Sequence, residues 1–186
     1  MGRSIKKEEE KIEKETQKIE RKYLPELVYG GMDGSITTFA VVSGVIGASL
    51  TPIVVLALGF ANLVADGFSM AVAHYFAIKS RNELIKKQDK HPMKGATATF
   101  ISFLLIGLLP LLSFIVAAIT KNPVIIENQF KYSIVLTGIA LITIGWFEGE
   151  VTGKHKIKST FQTLIIGGIA AFLAFSVGRI ISILIS

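Results

Sequence analysis

Residues 29–47 read YGGMDGSITTFAVVSGVIG, a run with nearly the length and much of the apolar character of a membrane-spanning helix. One carboxylate interrupts this run, because Asp33 lies near its start among several glycines. A bare charge inside hydrocarbon costs several kcal/mol unless a partner offsets it. The stretch therefore predicts a membrane protein that keeps a functional carboxylate inside the membrane.

The whole chain has the composition of an integral membrane protein. Of its 186 residues 51% are hydrophobic, the mean hydropathy is +0.56, and the apolar residues come in long blocks. The absence of cysteine excludes disulfides and thiolate metal sites. The net charge of +6 lies outside the apolar blocks and forms no basic stripe with exposed aromatics, so no nucleic-acid partner is expected. No HExxH, GxSxG or P-loop motif occurs, so we expect neither an enzyme nor an ATP-driven pump, and no cofactor.

The apolar runs predict an all-α integral membrane bundle of five transmembrane helices. Pro52 favours a tight turn after the first run, so spans 1 and 2 are expected to pack as an antiparallel hairpin. Pro110 falls inside span 3 and is expected to kink it. The five spans are residues 25–49, 53–78, 96–119, 132–149 and 161–183.

The basic residues predict how the bundle is oriented. Seventeen of the twenty lysines and arginines lie in the N-terminal tail, the link between spans 2 and 3, and the link between spans 4 and 5. The other three are Lys121, Lys131 and Arg179. Because basic residues accumulate on the cytoplasmic side, the N-terminus is expected in the cytoplasm and the C-terminus outside. We expect a multi-pass protein of a prokaryotic cell membrane, because the predicted loops are short.

The N-terminal residues 1–23 are too polar for a signal peptide and are predicted to form a charged cytoplasmic amphipathic helix. Ile5, Ile12 and Ile19 recur every seven residues and give it one thin apolar seam. The seam is compatible with a membrane surface, with a second tail or with a simple solvated helix. Residues 24–186 are then the five-span transmembrane domain.

Small residues recur at helical spacing within the spans and predict close helix packing, because they let backbones approach where lipid provides no hydrophobic drive. The repeats are Gly30 and Gly34, Ser43 and Gly47, and Ala170, Ala174 and Gly178.

Polar residues line one face of each of the first two spans. Glu26 and Asp33 are seven residues apart, two turns along one face of span 1. In span 2, four side chains follow one another at steps of four residues: Asn62, Asp66, Met70 and His74. From the helical rise, Asp33 and Met70 are expected at matching depth on the antiparallel helices, with Asp66 about a turn deeper.

This set of side chains is suited to a cation. Carboxylates bind hard or borderline divalent ions, and the Met70 thioether favours a first-row transition metal over magnesium or calcium. Buried carboxylates also exchange protons. The competing interpretation is a structural or regulatory membrane subunit, in which these polar side chains only hold the helices together by hydrogen bonds. Met70 is then a packing residue, and His74 only reaches toward the cytoplasmic boundary.

The runs PELVYGGMDGSITTFAVVSGVIGAS and GFANLVADGFSMAVAHYFAIKS resemble the vacuolar iron transporter family, which includes yeast vacuolar manganese/iron transporters and plant nodulin-like members. The resemblance continues through HPMKGATATFISFLLIGLLPLL and IIGGIAAFLAFSVGRI. It implies a five-span dimeric transporter that moves Fe²⁺ or Mn²⁺ out of the cytosol in exchange for protons. It also implies that Glu26, Asp33 and Met70 line the metal path. Glycines 30, 31 and 34 are expected to let two copies of span 1 approach and form the homodimer.

The chain departs from this family at three places. Family members commonly have an acidic residue two turns before the position of Met70, and this chain has Asn62 there. Its own acidic residue, Asp66, lies one turn before Met70 instead. Many members have a glutamate at the position of His74. The link KSRNELIKKQDKHPMK has only Glu83 and Asp89 among many basic residues, so the glutamate-rich metal-collecting domain of iron-storing members is absent. The predicted metal-path residues are Glu26, Asp33, Asn62, Asp66 and Met70.

Overall fold

The computed structural model describes residues 2–87 and 89–185, with side chains from residue 22 onward. The described residues form six helices and no strand, which confirms the all-α class. In chain order they are α1 (Gly2–Gly47), α2 (Pro52–Leu84), α3 (Pro92–Gly107), α4 (Leu109–Thr120), α5 (Pro123–Thr152) and α6 (Lys156–Ile185).

Three helices, α2, α5 and α6, are each long and apolar enough to cross a membrane, and α3 with α4 adds a fourth span if the bent pair is counted as one. The protein is therefore a multi-pass membrane protein. The part of α1 inside the bundle is less apolar, because it contains Asp33 together with many glycines, serines and threonines.

The predicted kink in span 3 is confirmed as a break between two helices, α3 and α4, whose axes differ by 49°. Pro110 has no N–H to donate to the carbonyl of Ile106, so the regular bonding pattern cannot continue. The Leu111 N–H turns instead to the Leu108 carbonyl, at 3.0 Å. The Ser133 hydroxyl of α5 donates to the Pro110 carbonyl at 2.6 Å, which ties the break to the neighbouring helix.

Helix α1 lies at the centre of the bundle and touches all five other helices. Its polar side chains Ser35, Thr38 and Ser43 are fully or almost fully buried. Its glycines contact α3, because a Cβ at Gly30 or Gly34 would overlap the carbonyl oxygen of Thr99 or Phe103. The expectation that glycines 30, 31 and 34 face a second copy of α1 is therefore wrong, since α3 of the same chain already covers them.

The predicted close packing at the small residues is confirmed where α1 crosses α6. A Cβ at Gly178 would overlap the Gly44 carbonyl oxygen, and one at Gly47 would overlap that of Phe175. Backbone thus lies on backbone at this crossing, as is common for membrane helices with small residues at their interface.

The N-terminal tail continues into the bundle without interruption, since α1 is a single helix that passes through Pro25. The amphipathic face predicted for residues 1–23 lies almost entirely outside the described side chains. The division at residue 23 stays a prediction.

The bundle has two ends that differ in charge. The α2–α3 link, residues 85–91, and the α5–α6 link around Gly153 lie at one end with the start of the bundled part of α1; we call it the basic end. The α1–α2 and α4–α5 turns lie at the other, which we call the opposite end.

Candidate cation-binding site

The polar faces of α1 and α2 meet along a seam whose alignment is fixed by hydrogen bonds. The Asn62 side-chain amide on α2 donates to the Thr37 hydroxyl on α1 at 3.3 Å. The Thr37 hydroxyl itself donates to the backbone carbonyl of Asp33 at 2.9 Å. One turn toward the basic end, Asp33 and Asp66 are close enough to interact electrostatically. The seam thus brings together two carboxylates from different helices, as the sequence predicts.

The predicted depths of Asp66 and Met70 need correction. Because Asn62 is level with Thr37, the antiparallel arrangement puts Asp66 level with Asp33 and Met70 about a turn nearer the basic end. Met70 is half-buried and packs against the apolar core that includes Leu63 and Phe103. The discrepancy arises because the depths were counted from the expected span ends, residues 25 and 78, whereas the Asn62–Thr37 pairing puts residue 74 rather than 78 level with residue 25.

Of the described carboxylates, two meet in the middle of the seam. Among the side chains that the structure describes, no three histidine, aspartate or glutamate groups are close enough to hold one metal ion. Asp33 and Asp66 are each half-buried. Two negative charges placed in this way repel each other, and their partial burial screens them less than water does. A cation or a proton between them removes that repulsion, so the pair is suited to binding either one.

Glu26 lies apart from this pair, at the basic end of α1. Only 3% of the residue is exposed. Its Oε1 accepts from the Lys90 ammonium at 2.7 Å, while its Oε2 is buried without a hydrogen-bond partner. The structure therefore pairs Glu26 with a lysine of the α2–α3 link and does not bring it to Asp33.

His74 shares a small cavity with Glu26 at the basic end. The cavity has a volume of about 150 Å³, and we call it the vestibule. Its lining residues are Glu26, His74, Ala77, Ile78, Arg81, Asn82, Asp89 and Lys90. His74 is half-buried beside Glu26, one turn beyond Met70 along the face of α2.

Lys90 and Asn82 are the vestibule residues that sequence reasoning missed as site residues. The Asn82 amide donates to the Lys90 carbonyl at 2.7 Å, and its oxygen accepts from the Asp89 N–H at 3.1 Å. Lys90 entered the sequence argument only through the charge balance of its link. The net basic character of that link was the one available signal that a cation lies near Glu26.

The seam becomes apolar toward the opposite end. Val42 and Val45 of α1 lie with Val55 of α2 in the buried core. Phe39 stacks on Phe130 of α5, with ring centroids 6.4 Å apart and planes inclined by 14°. The described residues of this half thus form a packed apolar layer beyond Asn62 and Thr37.

A family profile and individual relatives both match this chain over most of its length, and they agree on the family. The sequence profile of the VIT family matches residues 24–91 and 84–179. The vacuolar iron transporter of Toxoplasma gondii is 23% identical over 229 residues, covering 88% of this chain and 76% of that protein. Vacuolar iron transporter homolog 4 of Arabidopsis thaliana is 27% identical over 175 residues, covering 86% of this chain and 84% of that protein.

The lengths of these alignments show a difference between the two relatives. The Toxoplasma alignment is longer than the whole of this chain, so that relative has residues with no counterpart here. The alignment with the Arabidopsis homolog is shorter than this chain. The two profile matches overlap at residues 84–91, which are the last residue of α2 and the α2–α3 link. The profile covers most of the chain, which therefore belongs to the VIT family.

Proposed function

We propose that this protein exports a divalent transition metal, Fe²⁺ or Mn²⁺, from the cytosol in exchange for protons. The observation that carries the proposal is the placement of Asp33 and Asp66 opposite each other on two helices inside an apolar bundle. Carboxylates inside a membrane are rare and commonly mark ion or proton pathways. The relatives named vacuolar iron transporter support a metal as the transported ion.

Three side chains supply the ligands in this proposal. Asp33 and Asp66 provide carboxylate oxygens, and Met70 adds a thioether that favours a transition metal over magnesium or calcium. Asn62 uses its amide nitrogen for Thr37, which leaves its amide oxygen available on the same face. Glu26 serves as the first carboxylate that an ion meets on its way in from the cytosol.

The exchange of metal for protons follows from charge balance at the aspartate pair. One divalent cation or two protons neutralise two carboxylates equally well. The pair is therefore stable in the membrane when loaded with metal in one direction and with protons in the other, and costly when empty. Such a pair favours exchange over simple leakage.

Orientation and span number form part of the same proposal. The bundled part of α1, residues 25–49, is the fifth span, and it tolerates low hydropathy because protein rather than lipid surrounds it. The basic end faces the cytosol, in agreement with the excess of lysine and arginine in its links. The named relatives are plant and protozoan proteins called vacuolar, so they lend no support to the expected prokaryotic cell membrane.

We propose a homodimer in which α2 joins α1 at the interface. The face of α2 next to the polar stripe is exposed and bears small side chains at every fourth position: Ala61, Ala65, Ser69, Ala73 and Ala77. Such a face lets a second helix approach closely. A second copy there lies beside Asp66 and adds ligands to a set that one chain leaves incomplete.

Cross-linking tests this interface directly, because the chain has no cysteine of its own. Oxidation of Ser69→Cys is expected to cross-link two copies, whereas Phe172→Cys, on the exposed face of α6, is expected to stay monomeric.

Transport is tested with purified protein in liposomes. An imposed pH gradient, acid inside, is expected to drive uptake of Mn²⁺ and Fe²⁺, and a proton ionophore that collapses the gradient is expected to stop it. Glu127→Gln, an exposed change at the opposite end, serves as the control that keeps wild-type uptake. The proposal fails if uptake in protein-containing liposomes equals that in empty ones for both metals.

The competing structural role has one observation in its favour, the Asn62–Thr37 hydrogen bond, which does join two helices. A purely structural stripe predicts that Asp66→Asn lowers thermal stability or dimer content and that no variant alters a flux. The transporter proposal predicts the reverse for Asp66→Asn: a folded dimer with lost uptake.

A further inference from the structure

The vestibule at the basic end contains an incompletely satisfied carboxylate. Glu26 is buried, and its Oε2 has no hydrogen-bond partner. A buried carboxylate oxygen without a partner is costly, because burial removes water and nothing replaces it. This free oxygen marks a position that a second donor or a cation would stabilise.

The surroundings of Glu26 include one further ligand type that transition metals accept, because the His74 imidazole lines the same cavity. Asp89 lines it too, but its carboxylate lies 3.6 Å from the Arg81 guanidinium, and both ends of the Asn82 amide are already hydrogen-bonded. Imidazole nitrogen and carboxylate oxygen together suit Mn²⁺, Fe²⁺ or Zn²⁺ better than magnesium. The volume of about 150 Å³ holds an ion with a few waters, since one water takes roughly 30 Å³ in the liquid.

Lys90 already provides the positive charge at this position. Its ammonium lies 2.7 Å from Glu26 Oε1, and its side chain is 20% exposed. The backbone around it is anchored separately, because the Asn82 amide holds the Lys90 carbonyl and the Tyr23 hydroxyl accepts from the His91 N–H at 3.0 Å. A lysine side chain is a flexible stem with a single point charge, so the ammonium can leave Glu26 while the link stays in place.

We propose that Glu26 and His74 form a first binding site for the divalent cation at the basic end, and that Lys90 is its built-in competitor. In the described structure the Lys90 ammonium holds the cation position. A divalent ion carries twice the charge and takes its place on Glu26, with His74 as a second ligand, and Lys90 turns outward. This inference rests on the proposed transport function and adds a residue, Lys90, that sets the metal concentration at which transport begins.

Chemical labelling of lysines tests the displacement without any transport. The full chain in detergent is treated with an amine-reactive reagent over a range of Mn²⁺ concentrations, and each lysine is quantified by mass spectrometry. We expect the labelling of Lys90 to rise several-fold with Mn²⁺, while Lys87, exposed in the same link, stays constant. In Glu26→Gln, Lys90 is expected to label fully without metal. Equal labelling of Lys90 in wild type with and without Mn²⁺ overturns the proposal.

Transport kinetics provide the second test. Lys90→Met is expected to lower the apparent KM for Mn²⁺ several-fold with little change in maximal rate, and His74→Ala to raise it. Lys87→Met is the matched control with a wild-type KM. An unchanged KM in Lys90→Met, in a protein that transports Mn²⁺, overturns the competition while leaving the transport proposal intact. If the wild-type protein transports no Mn²⁺, the proposed function is wrong. The labelling experiment then still decides whether a cation displaces Lys90.

Discussion

The two halves of the α1–α2 seam are built from the same pair of helices and have opposite character. Toward the basic end the seam contains Asp33, Asp66, Met70 and the vestibule. Toward the opposite end its residues belong to a tightly packed apolar core. The Asn62–Thr37 hydrogen bond lies where one half gives way to the other. The difference shows that the charged side chains of the described seam lie toward the basic end, while packed, mostly apolar side chains lie toward the opposite end.

The proposed exchange would use this asymmetry in one of its two states. Under that proposal, a divalent ion at Asp33 and Asp66 meets the apolar half as a barrier, because a charge gains nothing there to replace its water. The proposal then also requires α1 and α2 to separate around Phe39 and Val42 in the other state. The α3–α4 break lies beside the aspartate pair, since Gly107 abuts Gly34 of α1, the neighbour of Asp33.

The largest effect is expected in the polar half, from Asp66→Asn. The change keeps the size of the side chain and removes the charge, so one divalent ion no longer finds two carboxylates. We expect Mn²⁺ uptake to fall at least about tenfold, corresponding to a loss of about 1.4 kcal/mol or more. The measurement is initial uptake in liposomes at equal protein content. Uptake within twofold of wild type removes Asp66 from the site.

In the apolar half, Phe39→Ala is expected to weaken the barrier. Truncation of a packed phenylalanine costs about 3–5 kcal/mol when it is fully buried, and less here because Phe39 is half-buried. The expected result is a proton leak: the imposed pH gradient decays faster, and less Mn²⁺ enters per proton. A lumenal pH dye measures the decay. Phe172→Ala, whose side chain faces outward on α6, is the control, and equal decay in both variants contradicts a barrier at Phe39.

A smaller effect is expected from Met70→Leu, which preserves the volume and removes the sulfur. Such a swap usually costs less than about 1.5 kcal/mol in stability, so the fold is retained. We expect a severalfold loss of preference for Mn²⁺ or Fe²⁺ over Mg²⁺, because only the soft ligand is lost. Competition of Mg²⁺ against Mn²⁺ uptake measures it. An unchanged ratio assigns Met70 to packing alone.

The smallest effect is expected at the boundary between the two halves, from Asn62→Ala. It removes one hydrogen bond, worth about 1 kcal/mol, from the α1–α2 contact. We expect a slight drop in melting temperature and uptake within about twofold of wild type, since an amide oxygen is a weaker ligand than a carboxylate. A loss as large as that of Asp66→Asn makes Asn62 an essential ligand.

The features that follow from local rules were predictable from the sequence. Apolar runs of sufficient length give the helices, and Pro110 breaks span 3 because it cannot donate a hydrogen bond. Small residues four apart, among them Gly47 and Gly178, predicted close helix packing, which the α1–α6 crossing confirms. Each of these predictions uses only the residues of one segment and the known structural preferences of those residue types.

The approach of Asp33 to Asp66 was predicted from the expected α1–α2 hairpin, but other contacts between two segments were not predictable. Glu26 and Lys90 are separated by 64 positions, and nothing in either segment points to the other. The glycines of α1 show that some backbone lies close, but they do not reveal that it belongs to α3. Whether Asp66 or Met70 lies at the same depth as Asp33 depends on how α1 and α2 are aligned along their axes. Only the tertiary contacts fix that alignment.

The central claim is that the Asp33–Asp66 pair carries the metal in exchange for protons. The most direct test records Mn²⁺ flux and lumenal pH together in liposomes containing wild type or Asp33→Asn. The account predicts that wild type moves protons out as Mn²⁺ enters, that reversing the pH gradient reverses the metal flux, and that Asp33→Asn does neither while remaining folded. Mn²⁺ flux in Asp33→Asn at the wild-type rate, or wild-type flux that is indifferent to the gradient, contradicts it.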